Sequence, residues 1–279
     1  MLKSINEEIP LKKALIWILL VTLMLSGSAV MGWLYCQHAK KKRLQDDQYR
    51  ILAIVQNTPQ KESLKTGYLA ELLNLSLDKP VNLYLFNSLE GEKKLLACPL
   101  IKHAAIKKIL PGTLYIYYEV RVPFALLANG TNTGLDEEGN SFPFNPFFTP
   151  KRLPSIRLGT PIDLQWGPGL KENKELSLAI HLINFFNQEN RLNGSNFYLK
   201  EIDAADAYAE SYGQRQIVIT LENQQGSPLL LRLNTEHFKQ NLTNFFALQK
   251  TFNPGQLPEI VDFRIPQLAF IKNKMKKGQ

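Results

Sequence analysis

The sequence predicts an α+β protein in three parts: one membrane-spanning helix at the N-terminus, a small βααββ unit, and a larger, mostly antiparallel β domain with helices. Three observations predict that class. Ala14–Tyr35 is a run of 22 residues without a charge. Between Tyr49 and Val120 the hydrophobic period passes from strand to helix and back to strand. Beyond Pro123, short apolar segments separated by turn residues recur almost to the end, interrupted by two helical stripes.

The uncharged run is long enough to cross a hydrocarbon core of about 30 Å, which needs roughly 20 such residues. Trp17 lies near one end, and Trp33 and Tyr35 lie at the other, where interfacial aromatics are common. A cleaved signal peptide would use Ala14–Leu25 as its apolar region and Gly27-Ser28-Ala29 as its small-residue site. The apolar run continues through Val30, Met31, Trp33 and Leu34, which favours retention. Lipid modification at Cys36 is opposed by the bulk of Tyr35 before it. Three lysines precede the span and Lys40-Lys41-Lys42-Arg43 follow it, so a bare count puts the C-terminal side in the cytoplasm by one residue.

After the span, Tyr49–Thr58 reads as a strand ended by Pro59. Leu64, Tyr68, Leu72 and Leu75 fall at helical spacing, predicting a helix over Ser63–Leu75 with Ser63 as N-cap. A second helix covers part of Leu83–Ala97 and stops before Pro99. Ile101–Leu110 and Thr113–Val120 form a hairpin about Pro111-Gly112. In its second arm Leu114, Ile116, Tyr118 and Val120 share the buried face. Next come a short strand, Phe124–Ala128, and a hairpin-like piece closing on Asp136-Glu137-Glu138-Gly139, read as a solvated turn. Phe142–Pro154 is an irregular connector. Leu176, Ala179, Ile180, Ile183 and Phe186 stripe a helix. Phe197–Ile202, Ala205–Glu210, Gln216–Leu221 and Leu229–Leu233 read as strands, and Phe238, Leu242, Phe245 and Gln249 mark another helix. Glu259–Ile265 is the final strand, stopped by Pro266.

Formal charge is 33 basic minus 25 acidic side chains, or +8, and it sits at the ends. Residues 1–50 carry eight basic and four acidic side chains, the stretch from Arg264 onward five basic and none acidic, and 51–263 hold 20 against 21. A nucleic-acid-binding domain would concentrate positive charge on its folded part, so that class is disfavoured. With 44% apolar and 21% charged residues the chain is too apolar for general disorder. Two cysteines, Cys36 and Cys98, exclude a disulfide framework and have no ligand partners at zinc spacing.

Pro99–Phe142 carries an ordered set of features: Pro99, the basic Lys107-Lys108, Pro111, the alternating Leu114–Val120, Pro123-Phe124-Ala125, Asp136–Gly139 and Phe142. With Leu153-Pro154 and Val261-Asp262-Phe263-Arg264 downstream, this order resembles the FtsQ/DivIB family of bacterial division proteins over residues 14–271. The resemblance implies a cytoplasmic tail (1–13), a transmembrane helix (14–35), a juxtamembrane linker (36–48), a POTRA-like domain (49–122), an FtsQ-type β domain (123–271) and a basic tail (272–279). It implies a single-pass protein of the inner membrane at the division site, its C-terminal domains outside the cytoplasm, against the bare charge count. It also implies a non-enzymatic scaffold whose partners are other single-span division proteins, FtsB/FtsL-like. The departures from the family lie at the last strand, where Ile260 and Ile265 flank the Val-Asp-Phe-Arg step and Pro266 cuts it short.

No G-x-S-x-G, H-E-x-x-H, Walker loop or G-x-G-x-x-G occurs. His38, His103, His181 and His237 are scattered, and Asp203 and Asp206 read as surface charges. No catalytic, metal or cofactor residue is therefore expected, nor a nucleic-acid partner or small-molecule substrate. The expected partner site is the last strand, with Val261, Asp262, Phe263, Arg264 and Ile265. The strand lies next to the chain end, so no downstream segment need pair with its outer side, and Arg264 would meet a carboxylate of an added strand. The alternative class is an anchored, peptidoglycan-directed enzyme or substrate-binding protein, which a cleft of converging titratable groups would mark.

Overall fold

Helix α1 (Leu11–Gln45) runs for 35 residues without a break. Its side chains from Leu15 to Tyr35 are exposed rather than packed into a core. The hydroxyls of Thr22, Ser26 and Ser28 donate to the carbonyls of Leu19, Leu23 and Leu25, as polar side chains in an apolar surrounding must. The helix is long and apolar enough to be a membrane anchor or a signal sequence. It does not end with the apolar run. Residues 36–45, expected as linker, continue the helix, because Lys, Arg, Gln and Ala are strong helix formers and no Gly or Pro intervenes.

The computed structural model describes residues 11–76, 78–159, 166–170, 172–195, 197–252 and 257–273. The chain is a mixed α+β protein that divides into two compact units. The first is drawn from Met1–Asn57, Lys65–Leu95 and Ala105–Tyr117, the second from Thr58–Leu64, Leu96–Ala104 and Tyr118–Gln279.

In the first unit, α1 is followed by β1 (Ala53–Asn57), α2 (Thr66–Leu72) and α3 (Ser88–Leu96). β2 (Ile101–Ile109) and β3 (Thr113–Val120), whose residues 105–117 belong to this unit, complete a three-stranded sheet of order β1-β3-β2, with β1 parallel to β3. The alternation predicted for β3 is present, Leu114, Ile116, Tyr118 and Val120 all being buried. Helix α2 is shorter than its stripe suggests. Lys65 is extended and has no side-chain cap, so Ser63 does not act as N-cap. At the other end Asn74 takes a left-handed conformation (φ 56°), with Leu75 N–H on the Ala70 carbonyl and Asn74 N–H on that of Glu71. That is a Schellman termination, with Asn in the place glycine usually fills. The turn at Gly112 admits no side chain, since a Cβ there would sit 2.1 Å from the Arg50 carbonyl oxygen.

Asn82 terminates α1 from outside the helix. Its buried amide donates to the carbonyls of Arg43 and Leu44, each at 3.0 Å, and its Oδ1 accepts from Tyr84 N. Two of the carbonyls left open at a helix end are thus satisfied. Beside this cap the Arg43 guanidinium lies 5.9 Å from the Tyr84 ring, which meets Tyr49 edge-on.

The second unit is built on a nine-stranded sheet. Its strands are β4 (Ala125–Leu127), β5 (Thr133–Leu135), β6 (Ser141–Pro143), β7 (Ser155–Arg157), β8 (Tyr198–Asp203), β9 (Ile217–Glu222), β10 (Pro228–Leu233), β11 (Ile260–Asp262) and β12 (Phe270–Lys272). Their order is β12-β11-β10-β9-β8-β7-β4-β5-β6, and most neighbours are antiparallel. Helices α4 (Lys174–Leu192) and α5 (Phe238–Leu248) supply the apolar partner surface, with Phe186 packed on Phe246 and Phe197 on Phe245. Asn173 caps α4 through Leu176 N. The α4 stripe buries Leu182 in addition to Leu176, Ala179, Ile183 and Phe186, while Ile180 is only partly buried.

Two expectations for this unit are corrected, and one strand, β7, was not expected. Ala205–Glu210 is not a strand: the Asp203 carboxylate captures Ala205 N, and two turns follow, closed by Ala207 N on Ala204 O and Ala209 N on Asp206 O. The connector before Pro154 leads straight into β7, which is held between two parallel neighbours and is too short to show a period. The Asp136 turn is not fully solvated. Asp136 is buried, accepts Glu138 N, Asn140 N and Asn140 Nδ2, and is paired with Arg121 at 2.7 Å.

Candidate partner interface

The last two strands of the large sheet position every residue expected at the partner site. β11 lies parallel to β10 on one side, with Leu230 opposite Ile260 and Arg232 opposite Asp262. On its other side runs β12, antiparallel, with Val261 opposite Ile271 and Asp262 opposite Phe270. The outer side of β11 is therefore occupied. This corrects the expectation that the Val261 strand is the free edge: the chain reverses after it and covers it.

The reversal has a local cause. Pro266 stands second in the four-residue turn Ile265–Leu268, closed by Leu268 N on Ile265 O at 3.3 Å. Gln267 takes φ 63°, the conformation a type II turn requires of its third residue. Proline, read from sequence as a stop, here begins a turn.

Val261 and Phe263 point into the core and are 0% and 3% exposed. Asp262 faces the other way beside Arg232 and is bound by Arg264: Nε lies 3.0 Å from both carboxylate oxygens and Nη2 2.8 Å from Oδ2. Burial works to raise the Asp262 carboxyl, but the hydrogen bonds and charge of Arg264, with Arg232 adding to them, leave its pKa below the ordinary value. The guanidinium of Arg264 is correspondingly raised by its hydrogen bond to Asp262. Arg264 is thus committed to a carboxylate of its own chain. Asn234 Nδ2 donates to the Arg264 carbonyl, tying the start of the turn to the residues after β10. Ile265 is exposed.

β12 itself went unrecognised in the sequence, its only signals being the Pro266-Gln267 turn and the apolar Leu268-Ala269-Phe270-Ile271. It is the end strand of the sheet, and no described strand pairs its outer side. Phe270 and Ile271 are 55% and 45% exposed. Lys272, expected in a tail, is its last residue and pairs with Glu259 at 3.3 Å. Residues 274–279 of the expected basic tail lie outside the described residues.

Elsewhere in the second unit, a groove of about 570 Å³ beside α4 is lined among others by Phe124, Arg152, Asn187, Tyr198, Lys200 and Glu222. Arg152 covers the Tyr198 ring and Lys200 is paired with Glu222. Among the described residues no three of His, Cys, Asp or Glu converge to hold a metal ion. No protein-family model matches the chain, and no curated protein matches it.

Proposed function

We propose that the protein is a membrane-anchored, extracytoplasmic scaffold of the bacterial division complex, of FtsQ/DivIB type, that recruits other single-span division proteins by strand addition. The observation that carries this reading is the outer side of β12, an exposed strand at the end of a nine-stranded sheet, which no strand among the described residues pairs. Such an edge offers main-chain donors and acceptors to an incoming strand, which give affinity, while side chains at alternate positions give selectivity. Phe270 supplies an exposed apolar contact on one face of that edge, and Lys272, on the same face, is paired with Glu259. The order β1-α2-α3-β2-β3 with β1 parallel to β3 supports a POTRA-like reading of the first unit. The long apolar α1 supports the anchor.

The site proposed from the sequence moves one strand outward. Val261 and Phe263 seat β11, the Asp262–Arg264 pair fixes the turn, and Phe270–Lys272 meets the partner. The test is capture from solubilised membranes by the full chain and by a chain ending at Pro266. The shortened chain should stay in the membrane fraction and lose its single-span partners. Undiminished capture would move the site away from this edge.

A further inference from the structure

The Asn82 cap brings an apolar corner of the first unit against the part of α1 that follows the span. Tyr84 lies beside Arg43, and Leu85 and Leu89 next to it are 65% and 70% exposed. Isolated exposed leucines are unremarkable, but two of them four residues apart, close in sequence to Tyr84 and its contact with the basic end of α1, call for a cover. On α1 itself, Lys40, Lys41, Lys42 and Arg43 occupy successive positions, and steps of about 100° carry them most of the way round the helix. They form a collar, not a stripe. Arg43 is eight residues past Tyr35, about 12 Å along the axis, so Lys40–Lys42 lie about 7–10 Å past the end of the uncharged run. A headgroup layer is about 5–7 Å deep on each side, and lysine stems reach back several ångströms. On the face that carries Arg43, Ala39 is half-buried one turn earlier, whereas Ala29 in the apolar run is exposed. The acidic residues that follow are engaged within the unit: Asp46 caps Gln48 N and Asp47 pairs with Arg50.

We propose that this corner is a lipid-contact surface: the Lys40–Arg43 collar binds the phosphates of anionic headgroups, and Tyr84, Leu85 and Leu89 enter the interfacial layer beside it. The occupant is the leaflet from which α1 emerges. The charge is complementary, and the surface is continuous with the span. The inference rests on α1 being a membrane anchor. It assigns the corner to lipid rather than to a protein partner.

The test uses the full chain in nanodiscs of phosphatidylcholine alone or with one third phosphatidylglycerol. A spin label is placed by Leu85→Cys or, as a control in the second unit, by Tyr212→Cys, which replaces an exposed residue, both with Cys36→Ser; Cys98 is buried. Retention in the discs after an alkaline wash reports on the anchor separately. With phosphatidylglycerol, the label at 85 should lose access to a water-soluble nickel chelate severalfold relative to the label at 212. Each lysine near an anionic surface contributes about fivefold in affinity, so replacing Lys40, Lys41 and Lys42 by Gln should weaken the contact about a hundredfold and restore access. Access at 85 equal to that at 212 in both lipids overturns the surface. Shielding that survives the lysine replacements, or that requires an added protein, overturns the anionic-lipid assignment. Loss of the chain in the wash overturns the anchor and this inference with it.

Discussion

Arg264 grips the carboxylate of Asp262, two residues back, with Nε 3.0 Å from each oxygen. The pair spans the junction between β11 and the turn that delivers β12, so it acts on the edge strand by positioning it. A side chain expected to meet a partner's charge is instead part of the hinge that presents the edge.

The pair gives stability a defined pH dependence. The Asp262 pKa is lowered on folding from an ordinary 3.8, so its contribution is complete above that value and disappears as pH falls through the lower folded pKa. Thermal unfolding of the wild type and of Asp262→Asn should differ at neutral pH and converge in strong acid. A difference that grew with acidification would contradict the assignment.

Reversing the charge at Arg264 places two carboxylates together and leaves Asp262 without its main partner. Arg264→Glu should lower stability by about 1–2 kcal/mol, because the site is partly shielded from solvent. It should also weaken partner capture through β12, while Arg264→Lys restores part of both. Capture measured beside melting temperature separates the two effects.

Asp136 should matter more. It is buried and is shared by Arg121 and by the amides of its own turn. Asp136→Ala strands a guanidinium and several N–H groups, at a cost of about 3–5 kcal/mol. Chemical denaturation should show a lower midpoint at unchanged slope.

At Gly112 the nearest atom to an added Cβ belongs to backbone, which cannot swing away. Gly112→Ala should therefore cost at least about 2 kcal/mol, read as lost amide protection in β1 and β3. Gly67, where an added Cβ meets nothing within 4 Å, is the control, and Gly67→Ala should not destabilise.

Topology can be read directly. With residues 1–13 in the cytoplasm and 36–279 outside, a reporter that works only in the cytoplasm and is fused after Gln279 should be silent. Signal there would mean that Lys40–Arg43 governs insertion.

What could be read from sequence follows the length of each periodic signal. The uncharged run and the alternation of β3 are long, and each constrains many residues toward one environment. β7 and β12 have three residues each, and pairing with neighbours rather than local pattern defines them. Pro266 misled because proline ends a strand and begins a turn equally well, and Gln267 lacks the glycine that usually marks the left-handed position. The Asp136 network was missed because Arg121 lies fifteen residues away, beyond any local pattern. The Asn82 cap is harder still, joining residues almost forty apart.

That cap has a mechanical consequence. In the anchor proposed above, the run of 22 uncharged residues is about 33 Å long against a hydrocarbon core of about 30 Å, so it would span with some tilt, set by packing and interfacial anchors. A slack tether would absorb the lean, but a continuous helix clasped at Arg43 and Leu44 passes it on. The heading of the first unit would then follow the tilt of the helix. A thinner membrane would steepen the lean and swing the unit sideways, making α1 a lever whose fulcrum is the lipid itself.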